Sequence, residues 1–353
     1  MRILITGGAG FVGTSLCLRL KQNYPSYTVL AFDNLKRRGS ELNLTELKKY
    51  NIEFIHGDIR NKEDLEAVGG FDVLVEASAE PSVLAGLGSD PTYVINNNFN
   101  GSINCFNQCL KHNAKLIFLS TSRVYPIDRI ENANFVEQDT RFSFAPKQDE
   151  VGISINGISE ELNLSGARSF YGATKLASEF FIEEYAAFYG IEAAVTRFGV
   201  IAGPRQMGKT DQGVVTLWMA NHFWSQSLKY IGYGGLGKQV RDILHIEDLI
   251  SLVDIQIHNI QQFKNKVFNA GGGLENSISL QEMTRVCEDI TGNKIVIHQD
   301  NNNRPADLRV YITDNTKISS AVGWSPQKTL QDVFTDVFEW MKADEKKLKN
   351  IFL

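Results

Sequence analysis

Short apolar runs alternate with helix-spaced patterns along the first two hundred residues. Runs at 2–6, 28–32, 52–55, 72–76, 115–120 and 193–198 predict buried strands. Between them, 11–22, 62–68, 92–112 and 172–189 repeat their apolar positions at helical spacing. Strands alternating with helices make a parallel sheet covered on both faces. Past about 200 the order loosens around Gly203-Pro204, the glycine-rich 232–237 and Asn302-Asn303-Arg304-Pro305, while Val267-Phe268-Asn269 reads as one more strand returning to the first sheet. The expectation is an α/β chain. A doubly wound parallel sheet spans 1–200, with 240–275 returning to it, and 201–239 with 276–353 form a smaller, discontinuous C-terminal α/β domain. The charged stretch 345–349 reads as a solvated helix end.

At 353 residues, two domains are expected from a prior of about 150 per domain. A net charge of −5 with no long basic run excludes nucleic acid as an expected partner, so any phosphate must be held by individual arginines and backbone amides. Cys17, Cys105, Cys109 and Cys287 contain no CxxC pair and read as packed thiols. The six histidines are scattered without ligand spacing, so no metal is expected. No apolar run approaches the ~20 residues of a membrane span, and the first strand begins at residue 2, leaving no room for a leader. These features read as a soluble, reduced, cytoplasmic protein without a membrane partner.

Chemistry enters with the glycines. Gly7, Gly10, Phe11, Val12 and Gly13 follow the first strand and open the first helix as GxxGxxG, the turn that brings a pyrophosphate close to backbone amides. Asp33, twenty positions past Gly13 at the end of the second strand, suits a carboxylate on the adenosine ribose. That points to a Rossmann fold and to NAD over NADP, since a carboxylate repels a 2′-phosphate. Lys36, Arg37 and Arg38 follow and could clamp such a phosphate, though a run of this kind is more often a solvated loop.

Tyr171 and Lys175 lie one helical turn apart on one face, some fifty residues after Ser120-Thr121. An ammonium beside a phenol favours phenolate and predicts a Tyr171 pKa below its ordinary value of about 10. Tyr171 is then a candidate base for an alcohol whose carbon loses hydride.

With these motifs in place, the chain resembles the extended short-chain dehydrogenase/reductase superfamily, the NAD-dependent nucleotide-sugar epimerases and dehydratases, over nearly its whole length. The resemblance rests on the glycine loop, Asp33-Asn34, Gly57-Asp58-Ile59, Asn98, Ser120-Thr121, Tyr171/Lys175, Arg241-Asp242 and Arg304-Pro305-Ala306-Asp307, in the superfamily's order. It implies that Asn34, Asp58, Ile59, Ala77, Ser78, Ala79 and Asn98 help to bind the cofactor, with Lys175 on the nicotinamide ribose. Thr121, Tyr171 and Lys175 become the catalytic set, and Thr121 hydrogen-bonds the reacting sugar oxygen. Ser82, Ser120, Arg205, Gln206, Gln212, Arg241, Arg304 and Asp307 become substrate contacts. Arginine suits a diphosphate because its fork binds bidentately; Arg309 reads more readily as a surface ion pair. Gln206 and Gln212 could read a nucleobase edge.

Three segments look closest to the branch acting at C2 of CDP-sugars: 203–206 with Thr210-Asp211-Gln212-Gly213, 237–242, and 157–161. A CDP-sugar is therefore the favoured substrate. Two positions depart from the superfamily. Glu76 stands where many relatives carry histidine. Val200 stands where several 4-epimerases have asparagine, which weakens a UDP-hexose 4-epimerase reading. Dehydratases place Asp-Glu after the catalytic threonine, whereas Ser122-Arg123 follow Thr121 here, which disfavours elimination of water. The expected activity is epimerisation with recycled NAD. The rivals are another nucleotide-sugar epimerase and a non-catalytic dinucleotide-binding protein. The resemblance also implies a homodimer or homotetramer, pairing 92–112 and 172–189 through Phe106, Leu110, Phe180, Phe181, Tyr185 and Phe188.

Overall fold

The computed structural model describes residues 1–208 and 212–353. Ile3, Leu4 and Ile5 are wholly buried in strand β1 (Arg2–Thr6), as a strand covered on both faces requires. Its neighbours are β2 (Thr28–Asp33), β3 (Glu53–His56), β4 (Val73–Glu76), β5 (Lys115–Thr121), β6 (Ala193–Phe198) and β7 (Val267–Ala270). They form one seven-stranded sheet in the order β7-β6-β5-β4-β1-β2-β3. The pairs β1–β2, β1–β4, β2–β3 and β4–β5 are parallel, with Thr6 in register with both Phe32 and Glu76. Strand order reverses between β1 and β4, the switch point at which open α/β sheets bind ligands beyond their carboxyl ends.

Helices α1 (Phe11–Asn23), α2 (Ser40–Lys49), α3 (Lys62–Glu66), α4 (Gly101–His112) and α5 (Phe170–Tyr189) belong to the same unit. Ser169 caps α5 by accepting from the Gly172 amide, and Gly190 ends it in the left-handed conformation (φ +73°). A short helix Thr92–Ile95 enters α4 through one π turn, Asn96–Asn100. One hydrophobic cluster of this unit holds Leu4, Phe32, Leu74, Phe106, Phe118 and Ile182.

The chain divides into two compact units: residues 1–124, 169–197 and 250–268, then 125–168, 198–249 and 269–353. Residues 125–168, placed by sequence with the first domain, lie in the second unit, and of 240–275 only 250–268 lie in the first. This makes the two units comparable in length. The transferred segment carries two small hairpins, Phe135–Glu137 with Phe142–Phe144 and Ile153–Ser154 with Gly157–Ile158, that complete no strand of the large sheet. Within the second unit, strand Val240–His245 pairs with Val200–Ala202, Ser277–Ser279 and Val310–Tyr311. Its helices Leu280–Thr291 and Leu330–Ala343 both begin with capping boxes, Ser279/Glu282 and Thr329/Asp332. The charged end is helical, Glu345–Phe352, with Leu348 buried. Among the described residues no helix is long and apolar enough to cross a membrane, and no cluster could hold a metal ion.

Candidate active site

The glycine loop sits where β1 meets α1. Gly7 takes φ +67°, and a Cβ there would lie 2.9 Å from the Ala77 carbonyl oxygen; at Gly13 it would lie 2.1 Å from that of Gly7. The loop is thus packed to a spacing that only hydrogen allows. Helix α1 has no acidic residue in its first turn and no side-chain cap, so its start favours an anion. Asp33, half-buried, accepts from the amides of Ala9 at 3.1 Å and Leu35 at 2.8 Å, tying the loop to the end of β2. Burial pushes its carboxyl above the ordinary range.

The remaining cofactor candidates surround that loop. Asn34 donates to Asp58 at 2.9 Å; Arg60 forks onto the same carboxylate at 2.9 and 2.6 Å and holds it well below the usual carboxylate range. The Lys36 ammonium lies 3.7 Å from the centre of the Tyr93 ring. Ile59 is committed to the core, filling the space against Gly101. Phe11 and Val12 open α1 half-buried. Asn98, turned by the π segment, clamps the 77–82 loop through both backbone groups of Glu80, at 2.7 and 3.0 Å. Within that loop the buried Ser82 hydroxyl accepts from the Leu84 amide at 3.2 Å.

Tyr171, Lys175 and Thr121 converge in the first unit. The Tyr171 phenol hydrogen-bonds Thr121, whose hydroxyl also accepts from the Arg123 amide at 3.2 Å. Contrary to the sequence expectation, the phenol is shifted up. Burial dominates, the Thr121 hydrogen bond and Arg123 pull it down, and Glu76 and Glu80 push it up. The Lys175 ammonium is itself buried in an ion pair with Glu76, 3.2 Å from Oε2. The lysine's charge is answered by a carboxylate that sequence reading treated only as a departure from histidine. A second buried pair was missed entirely. Glu179 binds the Arg197 fork at 3.1, 3.1 and 2.7 Å and accepts from Ser120. Its signal was available: Tyr171, Lys175 and Glu179 share one helical stripe, and an arginine inside a buried strand demands a partner.

The substrate candidates Arg205, Gln206, Gln212, Arg241, Arg304 and Asp307 all lie in the second unit. There Arg241 and Asp307 are ion-paired at 2.7 Å. The Gln206 amide donates to the Ile201 carbonyl at 2.8 Å. Arg309 lies 3.9 Å from Glu131 and over the rings of Phe135, Phe142 and Tyr233. Thr210 and Asp211 fall outside the described residues.

The model of the NAD dependent epimerase/dehydratase family matches residues 3–271. The chain belongs to that family. The CDP-paratose 2-epimerase of Salmonella typhi is 32% identical over 97% of this chain and 100% of its own length. The crystal structure of UDP-glucose 4-epimerase with UDP-glucose from Thermotoga maritima superposes with a TM-score of 0.77, at 25% identity, covering 98% of this chain and 100% of that one. That of UDP-glucuronic acid 4-epimerase from Bacillus cereus, in complex with UDP-glucuronic acid and NAD, gives 0.78 at 24% identity over 97% and 99%, which is a likeness of fold.

Membership makes the chain an NAD-dependent enzyme acting on nucleotide sugars, of the epimerase class. The family's cofactor fits the residues present: the tight glycine cradle, the uncapped start of α1 and the Asp33 carboxylate match a dinucleotide's pyrophosphate and ribose.

Proposed function

We propose that the chain interconverts CDP-paratose and CDP-tyvelose by inverting C2 of the sugar. The supporting observation is the convergence of Thr121, Tyr171 and Lys175 at the sheet's carboxyl edge, in a chain 32% identical to a CDP-paratose 2-epimerase over its full length. Bound NAD would supply reversible hydride acceptance at the sugar carbon. Tyr171 takes the hydroxyl proton and later gives it back. Thr121 hydrogen-bonds the oxygen that becomes the carbonyl, and Ser120, held by Glu179, keeps the end of β5 in place. Arg205, Arg241 and Arg304 grip the diphosphate while the sugar turns about its linkage. Ser122-Arg123 after Thr121 offers no carboxylic acid for a leaving hydroxyl, which favours epimerisation over dehydration.

The deciding experiment is proton NMR of the NAD-loaded protein with CDP-tyvelose in heavy water. CDP-paratose is expected without deuterium at C2 or C3. Deuterium at C3 would mean enolisation in place of simple rotation. No conversion, with UDP-hexoses turned over instead, would move the reading to a UDP-hexose 4-epimerase.

We also propose a homodimer through α4 and α5. Leu110, Phe180, Phe181 and Phe188 are 38%, 51%, 45% and 77% exposed. Phe106, expected on the same face, is wholly buried in the core, and Tyr185 packs against it. Sedimentation should give twice the chain mass, falling to one on Phe188→Glu with Phe181→Glu. A monomeric wild type would end this reading.

A further inference from the structure

β4 ends with a carboxylate inside the protein. Glu76, level with Thr6 of β1 and Phe118 of β5, has no exposed surface. An ionised carboxylate in such a place is strongly unfavourable unless both oxygens are partnered. Both are: Oε1 accepts from the Ser78 hydroxyl at 2.6 Å, and Oε2 lies 3.2 Å from Lys175 Nζ. The ammonium is pinned from another side as well, 3.9 Å from the centre of the Phe118 ring. Lys175 is therefore held against the sheet, one turn along α5 from Tyr171.

We propose that Glu76 is a positioning residue, fixing Lys175 and offsetting its charge at the Tyr171 phenol, and so setting how firmly Tyr171 holds its proton. This rests on the acid–base role proposed for Tyr171. The charged and hydrogen-bonding groups that act on the phenol come from several elements. Thr121 lies on β5, Arg123 on the turn after it, Glu76 at the end of β4, Glu80 in the loop beyond, and Lys175 on α5. Cys105 of α4 feels the same Glu76–Lys175 pair. Of these, Arg123 draws the phenol toward ionisation, while Glu76 and Glu80 oppose it. Removing the Glu76 charge leaves Lys175 and Arg123 facing Glu80 alone, and the balance tips toward phenolate.

A base works when ionised, so turnover rises with pH through the Tyr171 pKa, and loss of a nearby negative charge lowers that pKa. Glu76→Gln in the NAD-loaded protein is expected to move the acid limb of kcat/KM for CDP-tyvelose down by about one pH unit. A second readout needs no sugar. The ultraviolet tyrosinate titration of a protein minus that of its Tyr171→Phe counterpart isolates the Tyr171 phenol, and its midpoint should fall by a similar amount in Glu76→Gln. Glu76→Asp, which draws the carboxylate back by one methylene, should give a smaller displacement of the same sign. A phenol midpoint that stays put or rises in Glu76→Gln overturns the proposal. If that variant does not fold, Glu76→Asp carries the test, and no displacement there overturns it. Full turnover by Tyr171→Phe would instead remove Tyr171 as the base, while the titration still decides for or against Glu76.

Discussion

Tyr171→Phe is expected to lower epimerisation of CDP-tyvelose by about 10²- to 10⁴-fold, the range that a positioned general base contributes. NAD content and thermal melting should stay near those of the wild type. The substitution keeps the ring, so the half-buried face of α5 stays filled, and it deletes one hydroxyl with its hydrogen bond to Thr121. The measurement is NMR turnover at saturating sugar, alongside the melting curve. Near-normal turnover in a folded, NAD-loaded variant would place the base elsewhere, and Glu80 is the next acid–base group in the site. A Thr121→Val variant should lose turnover with Tyr171 intact, because the developing carbonyl oxygen loses its donor.

The second large effect concerns stability. Arg197→Met should destabilise the protein by roughly 3–5 kcal/mol, the usual result of stranding one member of a buried ion pair. Glu179 and Arg197 are 2% and 5% exposed, and β6 is buried along its whole length. Methionine fills much of the arginine's volume, so the loss comes from leaving Glu179 with Ser120 as its remaining partner. The double variant Arg197→Met/Glu179→Leu should recover most of the loss, since no lone charge remains. Urea unfolding of the four proteins in the cycle tests this. Simple additivity of the two single changes would show that the pair does not act as a unit.

The sequence made the first sheet legible because its strands are continuous Ile/Val/Leu/Phe runs and its helices sit between them. The glycine loop was legible as a tight turn because each glycine meets a local steric demand, and at Gly7 and Gly13 a Cβ would collide with backbone. Helix α2 was missed: its buried positions are Ser40, Asn43 and Leu47, too few apolar residues to show a period. The transfer of 125–168 to the second unit was equally hidden, since short hairpins such as 135–144 carry no signal of which sheet they accompany. The Tyr171 pKa was misjudged for a different reason. Spacing along α5 put an ammonium beside the phenol, but the burial that dominates its shift, and the carboxylate that comes from β4 ninety-nine residues before Lys175, leave no mark in the local pattern.

The alternation of segments between the two units bears on how the protein is made. The sheet gains β6 only near residue 198 and β7 only at residue 270, so three quarters of the 353 residues must leave the ribosome before its edge is closed. Until β6 joins near residue 198, β5 is a nascent border strand, and from then until residue 270 the border is β6. Domains that are contiguous in sequence can fold one after another during synthesis; here the first unit is complete only at residue 268, after two segments of the second have been made.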